Sequence, residues 1–545
     1  NLIGCSRGQN GTTAATHSSA AAVTCATLLV TCVGHGALDN DFVTFSGATT
    51  LGDAITADIL NQEYQVTALV STSVFQVEAR TVSTISSITG TDGLNPTYVF
   101  ATTSDSGNGG ASVIGVFQIN TGLDTTIIGT GWGAGTWGRD TWGSGASITT
   151  AGQQLRIWSH DNFGEDLLFN VRDGGIYYWD KSSGTTARGV ALSSLASANT
   201  TPTIAKQILV SDRDRHIIAF GCDSQTDPGI QDPLLIRFST QESLTDWAAT
   251  ATNTAGDLRI GSGSEIITAV ETRQQVLVFT DKSLYAMQYL GPPFTFGISA
   301  ISENITIQSP LAAIAVEDNV YWMGQKEFYV YGGAVQRIPC TVRDYVFSDF
   351  NSDQGEKVTA ATNTAFSEVW WFYPSANSEE NDRYVVYNYQ QQIWYYGTMT
   401  RTCWVDRGIN QYPIAASTDH VLYLQELGFN DGSTVPEAPL VTSIASSPID
   451  IQDGDEFAFI SRIFPDLRIR PESGAGAMAN FTIRVRNNTS ESFAKEVIVP
   501  YTGDDQQVQV RLRGRQFSVK IDSNTVDTAW RLGSPRLDIQ PDGKR

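Results

Sequence analysis

The sequence predicts an all-β protein: an irregular β-propeller with an N-terminal small β module and a C-terminal β-sandwich-like domain. Its 49 glycines, its 10% aromatic residues and its abundant Thr and Ser favour strands and tight turns over helices. No segment longer than about ten residues keeps apolar residues at i, i+3, i+4 and i+7, as an amphipathic helix requires. At 545 residues the chain exceeds a single hydrophobic core, so about three or four domains are expected.

Residues 1–125 form an N-terminal segment that contains the small β module at about 36–80. Three alternating segments, 42–46, 64–69 and 74–79, are separated by turn residues and predict an antiparallel sheet. The preceding apolar stretch 20–34 resembles the core of a signal peptide. Thr24, Thr27 and Thr31 interrupt it at the spacing of a half-exposed strand, which is the interpretation that we favour.

Residues 126–430 predict the propeller, because short strand pairs with an aromatic residue near the end recur about every 40 to 60 residues. Polar turn pairs such as Asp281-Lys282 and Gln325-Lys326 separate the strands. About five to seven blades are expected. The strand candidates are 154–159, 167–171, 175–179, 207–210, 216–221, 234–238, 266–270, 275–280, 283–290, 312–316, 319–323, 327–331, 367–373, 383–388, 392–396, 413–417 and 420–425.

Residues 431–447 have the Gly, Ser, Thr and Pro composition of a linker. Residues 448–545 then alternate like the strands of a sandwich. The candidates there are 449–451, 456–464, 481–486, 495–499, 507–513, 516–521 and 536–539.

The net charge of −22 is unevenly distributed. Residues 450–545 contain 14 basic and 14 acidic side chains, so the whole acidic excess falls on residues 1–449. Non-specific DNA binding depends on Lys and Arg that neutralise phosphates. The charge therefore argues against a sequence-reading DNA-binding protein.

The six cysteines include no CxxC pair, so neither a zinc site nor a redox site is indicated. Cys25 and Cys32 are the only close pair. We expect free buried thiols rather than a structural disulfide, in agreement with assembly in a reducing cytoplasm.

The acidic pairs Glu165-Asp166, Asp212 with Asp214, and Asp453-Asp455-Glu456 offer general acid and base chemistry, but each stands in a predicted turn. A calcium-like segment begins at Asp349, but it has Gly in the seventh position instead of the sixth. The sequence has no HExxH, GxSxG or phosphate-loop motif. We predict no enzyme, no cofactor and no metal, although a site assembled from distant residues leaves no local motif.

Two motifs suggest contacts with a partner. In 129–145, Trp132, Trp137 and Trp142 recur every five residues among glycines. We favour an extended strip whose indoles pack on a neighbour, with a contact between subunits as one version; the alternative is a mobile tip or gate that touches another protein or a membrane. Arg511, Arg513 and Arg515 recur at every second position of one strand. Three like charges on one face imply an acidic or phosphate partner, such as the acidic propeller of an adjacent subunit or, less favoured, DNA.

Several segments resemble the tail nozzle or packaged-DNA stabilisation proteins of short-tailed bacteriophages (podovirus-like). They are DFVTFSGA (41–48), LNQEYQVT (60–67), GWGAGTWGRDTWG (131–143), SPLAAIAVEDNVYWMGQKEFYVYGG (309–333) and, most specifically, TAWRLGSPRLDIQPDGKR (528–545).

The resemblance implies a structural virion protein of the viral tail, assembled in the host cytoplasm. It implies a homo-oligomer of six copies that forms a tail tube, contacts an adaptor or portal-proximal ring, and meets tail fibres or a tip plug. DNA would pass through the lumen without sequence-specific binding during retention and ejection. Two alternatives remain: a host-binding adhesin or fibre that uses the tryptophans of 129–145, and a glycan-cleaving tail enzyme that uses paired acids.

Overall fold

The computed structural model describes residues 27–33, 35, 37, 42–81, 98–105, 108–117, 155–184, 187, 189–211, 213–291, 294–419, 421–450, 454–471, 478–503 and 506–544. The chain divides into two compact units, Asn1–Thr402 and Cys403–Arg545. The described part is built almost entirely from antiparallel strands, which confirms the all-β prediction. None of its helices is long and apolar enough to cross a membrane.

The N-terminal module is a five-stranded sheet with the order β1-β4-β3-β2-β5. Its strands are β1 (Thr27–Thr31), β2 (Phe42–Ser46), β3 (Glu63–Ser71), β4 (Val74–Glu78) and β5 (Ile114–Phe117). Val43, Tyr64, Val66 and Phe75 form its core on one face. The short helix α1 (Ala57–Leu60) is capped by Thr56, whose hydroxyl accepts a hydrogen bond from the Ile59 amide. The three predicted strands are present, and the edge strands β1 and β5 widen the module beyond 36–80.

Five four-stranded antiparallel sheets, here called blades 1 to 5, follow one another in the described part of the first unit. Blade 1 comprises β6 (Trp158–Phe163), β7 (Asp166–Val171), β8 (Ile176–Trp179) and β9 (Val190–Ala191); blade 2 comprises β10 (Gln207–Val210), β11 (Ile217–Phe220), β12 (Leu235–Phe238) and β13 (Gly256–Arg259); blade 3 comprises β14 (Ile266–Glu271), β15 (Val276–Thr280), β16 (Ser283–Gly291) and β17 (Thr295–Glu303); blade 4 comprises β18 (Ala313–Val316), β19 (Asn319–Met323), β20 (Phe328–Tyr331) and β21 (Val335–Ile338); and blade 5 comprises β22 (Thr359–Asn363), β23 (Glu368–Tyr373), β24 (Arg383–Asn388) and β25 (Ile393–Thr398).

The blades are arranged as in a propeller, because the first strand of each blade neighbours the first strand of the next. A parallel bridge between Leu311 and Thr359 links the entries to blades 4 and 5. Each blade pairs its strands in sequence order, so the chain runs outward from the first strand to the fourth. The propeller prediction is therefore confirmed in architecture.

Blades 3, 4 and 5 share an aromatic core. The ring of Phe328 lies 5.0 Å from that of Trp371 and 4.7 Å from that of Trp394, measured between centroids. The buried indoles also have hydrogen-bond acceptors: Trp371 donates to the Ala312 carbonyl at 3.0 Å, and Trp322 donates to the Thr306 carbonyl at 3.2 Å. These bonds remove the cost of burying an indole N–H without a partner.

Short helices occupy some of the connections between strands. They are α2 (Arg343–Ser348) and the 3₁₀ helices Lys181–Ser183, Leu192–Ser194 and Ser352–Lys357. The β16–β17 hairpin of blade 3 is longer than the other hairpins of the blades, with nine residues in each strand. The distal half of β16 is half-buried or exposed and Phe294 is 74% exposed, whereas Thr295 and Phe296 at the start of β17 are buried.

The second unit contains several small sheets. Its strands are β26 (Cys403–Val405), β27 (Ile414–Ala416), β28 (Leu422–Leu424), β29 (Asn430–Asp431), β30 (Ala438–Pro439), β31 (Thr442–Ala445), β32 (Ile449–Asp450), β33 (Ala458–Phe464), β34 (Leu467–Pro471), β35 (Ala479–Arg486), β36 (Lys495–Tyr501), β37 (Val508–Gly514), β38 (Gln516–Ser523), β39 (Thr528–Leu532) and β40 (Arg536–Pro541).

The sheets β26-β27-β28 and β29-β30 pair in sequence order, whereas strands β31 to β40 pair largely out of sequence order. One sheet has the order β31-β38-β35-β36, with β32 also on β38; a second has the order β37-β33-β40; and β34 pairs with β39. Apolar side chains from all three meet in one core that includes Ile460, Phe481 and Leu512. Shared burial of this kind is what a sandwich-like domain requires.

Two predicted boundaries differ from the structure. The sheet β26–β28, which the sequence placed in the propeller, belongs to the second unit. The predicted linker 431–447 contains β30 and β31, and β31 pairs with β38 in the C-terminal sheet. Thr442–Ala445 is an exposed edge strand, which explains why its composition resembles that of a linker.

Candidate functional site

A cavity of about 230 Å³ lies where the first strands of blades 1, 2 and 3 meet. It is lined by Ile157, Trp158, Ser159, His160, Asp161, Arg172, Lys206, Gln207, Ile208, Leu209, Thr268, Pro310 and Leu311. The lining therefore comes from three blades and from the segment that enters blade 4. Ligand-binding sites are often found where several structural elements come together.

Lys206 is a buried cation at this cavity, with 7% of its side chain exposed. Its ammonium lies 3.1 Å from a carboxylate oxygen of Asp173 and 2.7 Å from one of Glu265. Asp173 also accepts a hydrogen bond from the Gln231 amide at 2.7 Å. Lys206 thus joins carboxylates from blade 1 and from the entry to blade 3, and the charges compensate one another in the interior.

Arg172 ties blade 1 to blade 3 at the same cavity. Its guanidinium is buried and donates to the Ile267 carbonyl at 2.9 Å. Burial lowers the pKa of Arg172, and the nearby charges of Asp173, Glu265 and Glu356 oppose that effect. Because an arginine stays protonated even when its pKa falls, this group remains a cation.

Gln207 completes the polar network between blades 2 and 3. Its side-chain oxygen accepts from the Ala269 amide at 2.7 Å and from the Thr268 hydroxyl at 3.0 Å. Its side-chain nitrogen donates to the Ala269 carbonyl at 2.8 Å. These reciprocal bonds satisfy the side-chain amide of Gln207. They therefore hold β10 of blade 2 against β14 of blade 3.

The predicted arginines lie on and just after β37. Arg511 and Arg513 occupy alternate, exposed positions, as the period of two requires. Arg513 forms an ion pair with Asp542. The guanidiniums of Arg513 and Arg515 lie over the ring of Phe457, at 4.1 and 4.8 Å from its centroid. Part of the expected anionic partner is thus supplied within the chain, and the role of these arginines in a contact between subunits remains a prediction.

The tryptophans Trp132, Trp137 and Trp142 lie outside the described residues, as do Asp212 and Asp453. The acids of the predicted turns that are described make local contacts. Glu165 pairs with Lys181 at 2.9 Å, and Asp455 pairs with Lys544 at 2.9 Å. Asp166 accepts a hydrogen bond from the Tyr178 hydroxyl, and burial together with this carboxylate raises the pKa of that tyrosine to about 12.

The remaining candidates for chemistry are dispersed. Within the described ranges no group of three or more His, Cys, Asp and Glu residues is placed to hold a metal ion. The described cysteines are free thiols: Cys222 is buried and Cys340 is half-buried, but Cys32 and Cys403 are exposed, so the prediction of buried thiols is wrong for these two. Burial raises the pKa of Cys222 to about 12. The calcium-like segment forms the end of α2 and a 3₁₀ helix, where Asp349 pairs with Arg383 at 3.3 Å.

Sequence reasoning did not single out Arg172 or Lys206. Arg172 follows β7 in a polar turn, and Lys206 directly precedes the apolar strand β10. Both positions are typical of a solvated side chain. Only the assembly of three blades brings Asp173 and Glu265 to Lys206. A buried charge of this kind is visible only in three dimensions.

Comparison with known proteins leaves the family open. No family model matches the chain, and no curated protein matches it. Similar solved structures include the computationally designed Ika8 protein, with 9% identity, TM-score 0.31, and 50% of this chain and 71% of that chain covered. BamB from Moraxella catarrhalis has 13% identity, TM-score 0.28, and coverage of 50% and 70%. Hsv2p from Kluyveromyces lactis has 11% identity, TM-score 0.30, and coverage of 65% and 98%. These scores are too low to support any conclusion about function.

Proposed function

We propose that this chain is a structural subunit of a bacteriophage tail, one of about six copies that form a nozzle or tail tube around DNA. The observation that carries the proposal is the sequence resemblance, above all in residues 528–545. In the fold this segment forms β39 and β40, two strands that pair with β34 and β33 of the C-terminal sheets. The resemblance thus covers a folded part of the domain.

The charge distribution supports a role as a DNA conduit. The acidic excess of −22 lies entirely in residues 1–449. A wall of carboxylates repels phosphates, so DNA held in such a tube could move without adhering to the wall. The proposal includes retention of packaged DNA and its ejection, and it assigns no catalytic reaction to the chain.

The proposed location is the tail of the virion, after assembly in the host cytoplasm. Contacts with an adaptor ring and with fibres or a tip plug belong to the same proposal. The modular architecture supports this assignment, since separate β domains can present separate surfaces to different partners.

Native mass spectrometry and electron microscopy of the purified full chain test the proposal. We expect closed rings of about six copies. A chain that stays monomeric at every concentration and salt condition would contradict it.

A host-binding adhesin is the competing assignment, and it predicts binding of the isolated chain to host cells. If replacement of Trp132, Trp137 and Trp142 by Ala abolished such binding and the chain formed no ring, the adhesin would replace the nozzle.

A further inference from the structure

Strands β34 and β39 form a two-stranded antiparallel ribbon whose outer face is basic. Their register places Arg468 directly opposite Arg531, and Arg470 lies two residues further along the same face. All three side chains are exposed. The other face of the ribbon carries Leu467, Ile469, Trp530 and Leu532, which pack on the C-terminal core. We call the outer face of Arg468, Arg470 and Arg531 the arginine ribbon.

The arginine ribbon lacks a counter-ion within the described part of the chain. No described carboxylate lies within ion-pairing distance of any of its three guanidiniums, and no hydrogen bond to them is formed there. The acid that precedes Arg468 on the same face, Asp466, accepts a hydrogen bond from the Ser534 amide at 2.8 Å. Like charges placed directly opposite each other on two strands repel, so this arrangement destabilises the isolated chain.

Other arginines of the same domain are arranged differently. Arg462 lies 2.9 Å from Asp538, Arg484 lies 2.6 Å from Glu496, and Arg513 pairs with Asp542. The domain therefore pairs these arginines with carboxylates. A face that combines a repelling pair with a third cation is suited to an anionic partner outside the chain.

Two kinds of macromolecule present a repeating anion: a nucleic acid and an acidic protein surface. The chain carries −22 overall, so it repels phosphate at long range. The net charge also repels a second copy at long range, but the charge is unevenly placed. Residues 450–545 are balanced, with 14 basic and 14 acidic side chains, and residues 1–449 carry the whole excess of carboxylates, so a contact between the arginine ribbon and residues 1–449 of a second copy is locally complementary. A second copy is also always present in equal amount.

We infer that the arginine ribbon of one copy docks on an acidic surface within residues 1–449 of a second copy. This inference rests on the proposed function, because it names the surface that would hold the ring together. The two sides of the contact are different surfaces, which makes the interface heterologous. Heterologous contacts propagate from copy to copy and close into a ring when the rotation permits, whereas a contact between identical surfaces stops at a dimer.

The test compares two double variants of the full chain that remove the same charge. The ribbon variant is Arg468→Gln with Arg531→Gln, and the matched control is Arg462→Gln with Arg484→Gln, whose arginines are paired within the chain and are not among the predicted contact residues. Assembly is measured by light scattering and native mass spectrometry between low and high salt. We expect the ribbon variant to assemble at least about tenfold more weakly than the wild type, with a reduced salt dependence, and the control to assemble as the wild type does.

A thermal unfolding scan at a concentration where all variants are monomeric separates docking from folding. Loss of the repelling pair should leave the unfolding temperature of the ribbon variant unchanged or slightly raised. A ribbon variant that assembles like the wild type overturns the inference and leaves the proposed function standing. A wild-type chain that never assembles overturns both.

Titration with a fluorescent DNA duplex tests whether the arginine ribbon binds phosphate instead. If the wild type binds the duplex, the ribbon variant does not, and ring assembly is the same in both, then phosphate is the partner and the inference is overturned. We expect no difference between the variants in DNA binding.

Discussion

The core shared by blades 3 to 5 and the core of the C-terminal sheets are built in opposite ways. The propeller core is aromatic, with Trp322, Phe328 and Trp371 fully buried, and each blade pairs strands that are neighbours in sequence. The C-terminal core is mainly aliphatic, and its sheets pair strands far apart in sequence, such as β33 with β40. In the propeller, strands that are neighbours in the sequence pair with one another and bury large aromatic side chains. The second unit depends instead on pairing between strands that lie far apart in the sequence.

The largest expected effect is that of Trp371→Ala in the propeller core. The substitution removes a buried indole from Phe328 and Trp394 and one of the two hydrogen bonds to the Ala312 carbonyl, which the Met323 amide still contacts, so the first unit should lose about 4 kcal/mol of unfolding free energy. Denaturant unfolding, followed by hydrogen exchange in each unit, measures the loss. The exposed Phe366→Ala serves as the control. Equal destabilisation of both units would show that the two cores unfold as one.

The reciprocal substitution in the second unit is Phe481→Ala. The ring of Phe481 is buried at 5.7 Å from that of Tyr501, and its loss should cost the second unit about 3 kcal/mol. The milder Ile483→Val should cost about 1 kcal/mol in the same unit. The same hydrogen-exchange experiment should show protection in the blades unchanged. A loss of protection there would remove the contrast between the two cores.

Lys206→Met tests whether the blades also depend on buried charge. Removal of the ammonium takes the ion pair from Asp173 and from the 41% exposed Glu265, although the charge of Arg172 stays nearby, and we expect a loss of about 2 kcal/mol at neutral pH. The surface pair Lys544–Asp455 provides the control, because Lys544→Met should have no measurable effect. A Lys206 variant as stable as the wild type would show that aromatic packing alone holds the first strands.

The smallest effect is a pH dependence from His216 in blade 2. Its Nδ1 is buried without a hydrogen-bond partner in the described structure, its Nε2 lies 3.1 Å from the Thr254 hydroxyl, and Phe238 and Phe296 surround the ring. Burial lowers the pKa of His216 below its ordinary value of about 6.5, with Asp214 opposing the shift. The unfolded state therefore binds the proton more tightly, so the stabilisation is present above about pH 6.5 and is lost as the pH falls through the lowered pKa.

A series of unfolding experiments between pH 7.5 and pH 5 measures this dependence. His216→Gln should show a smaller loss of stability on acidification than the wild type, while the exposed His160→Gln should match the wild type. Identical slopes for all three proteins would exclude His216 as the source.

Much of the fold was predictable from sequence because the first three strands of a blade are mostly apolar. The limits of β10, β19 and β24 agree with the predicted segments. The strands that were missed have weaker patterns: β13 (GDLR) and β21 (VQRI) are the half-exposed outer strands of their blades, so their composition follows solvent more than the core. β34 (LRIRP) and β39 (TAWRL), which carry the arginine ribbon, were also missed, because each is only five residues long and offers few apolar positions from which to recognise a strand.

Some residues of the candidate sites could also be predicted from the sequence, and others could not. The alternation of Arg511 and Arg513 could be predicted because one strand determines it. The cavity with Lys206 and Arg172 could not, since it needs side chains from three blades. The opposition of Arg468 and Arg531 depends on a register between strands about 60 residues apart, which no local pattern specifies.

The long β16–β17 hairpin has a consequence for how this chain can change over generations. On β16 the inner half is buried in blade 3 and the outer half is half-buried or exposed; on β17 the outer residues Thr295 and Phe296 are buried, and Phe294 beside them is exposed to solvent. Insertions or deletions beside Phe294 that leave Thr295 and Phe296 in place would alter little of the buried surface. Homologous chains should therefore differ in length at this hairpin more than elsewhere in the blades, and it is the position at which a reporter peptide can be introduced with least harm.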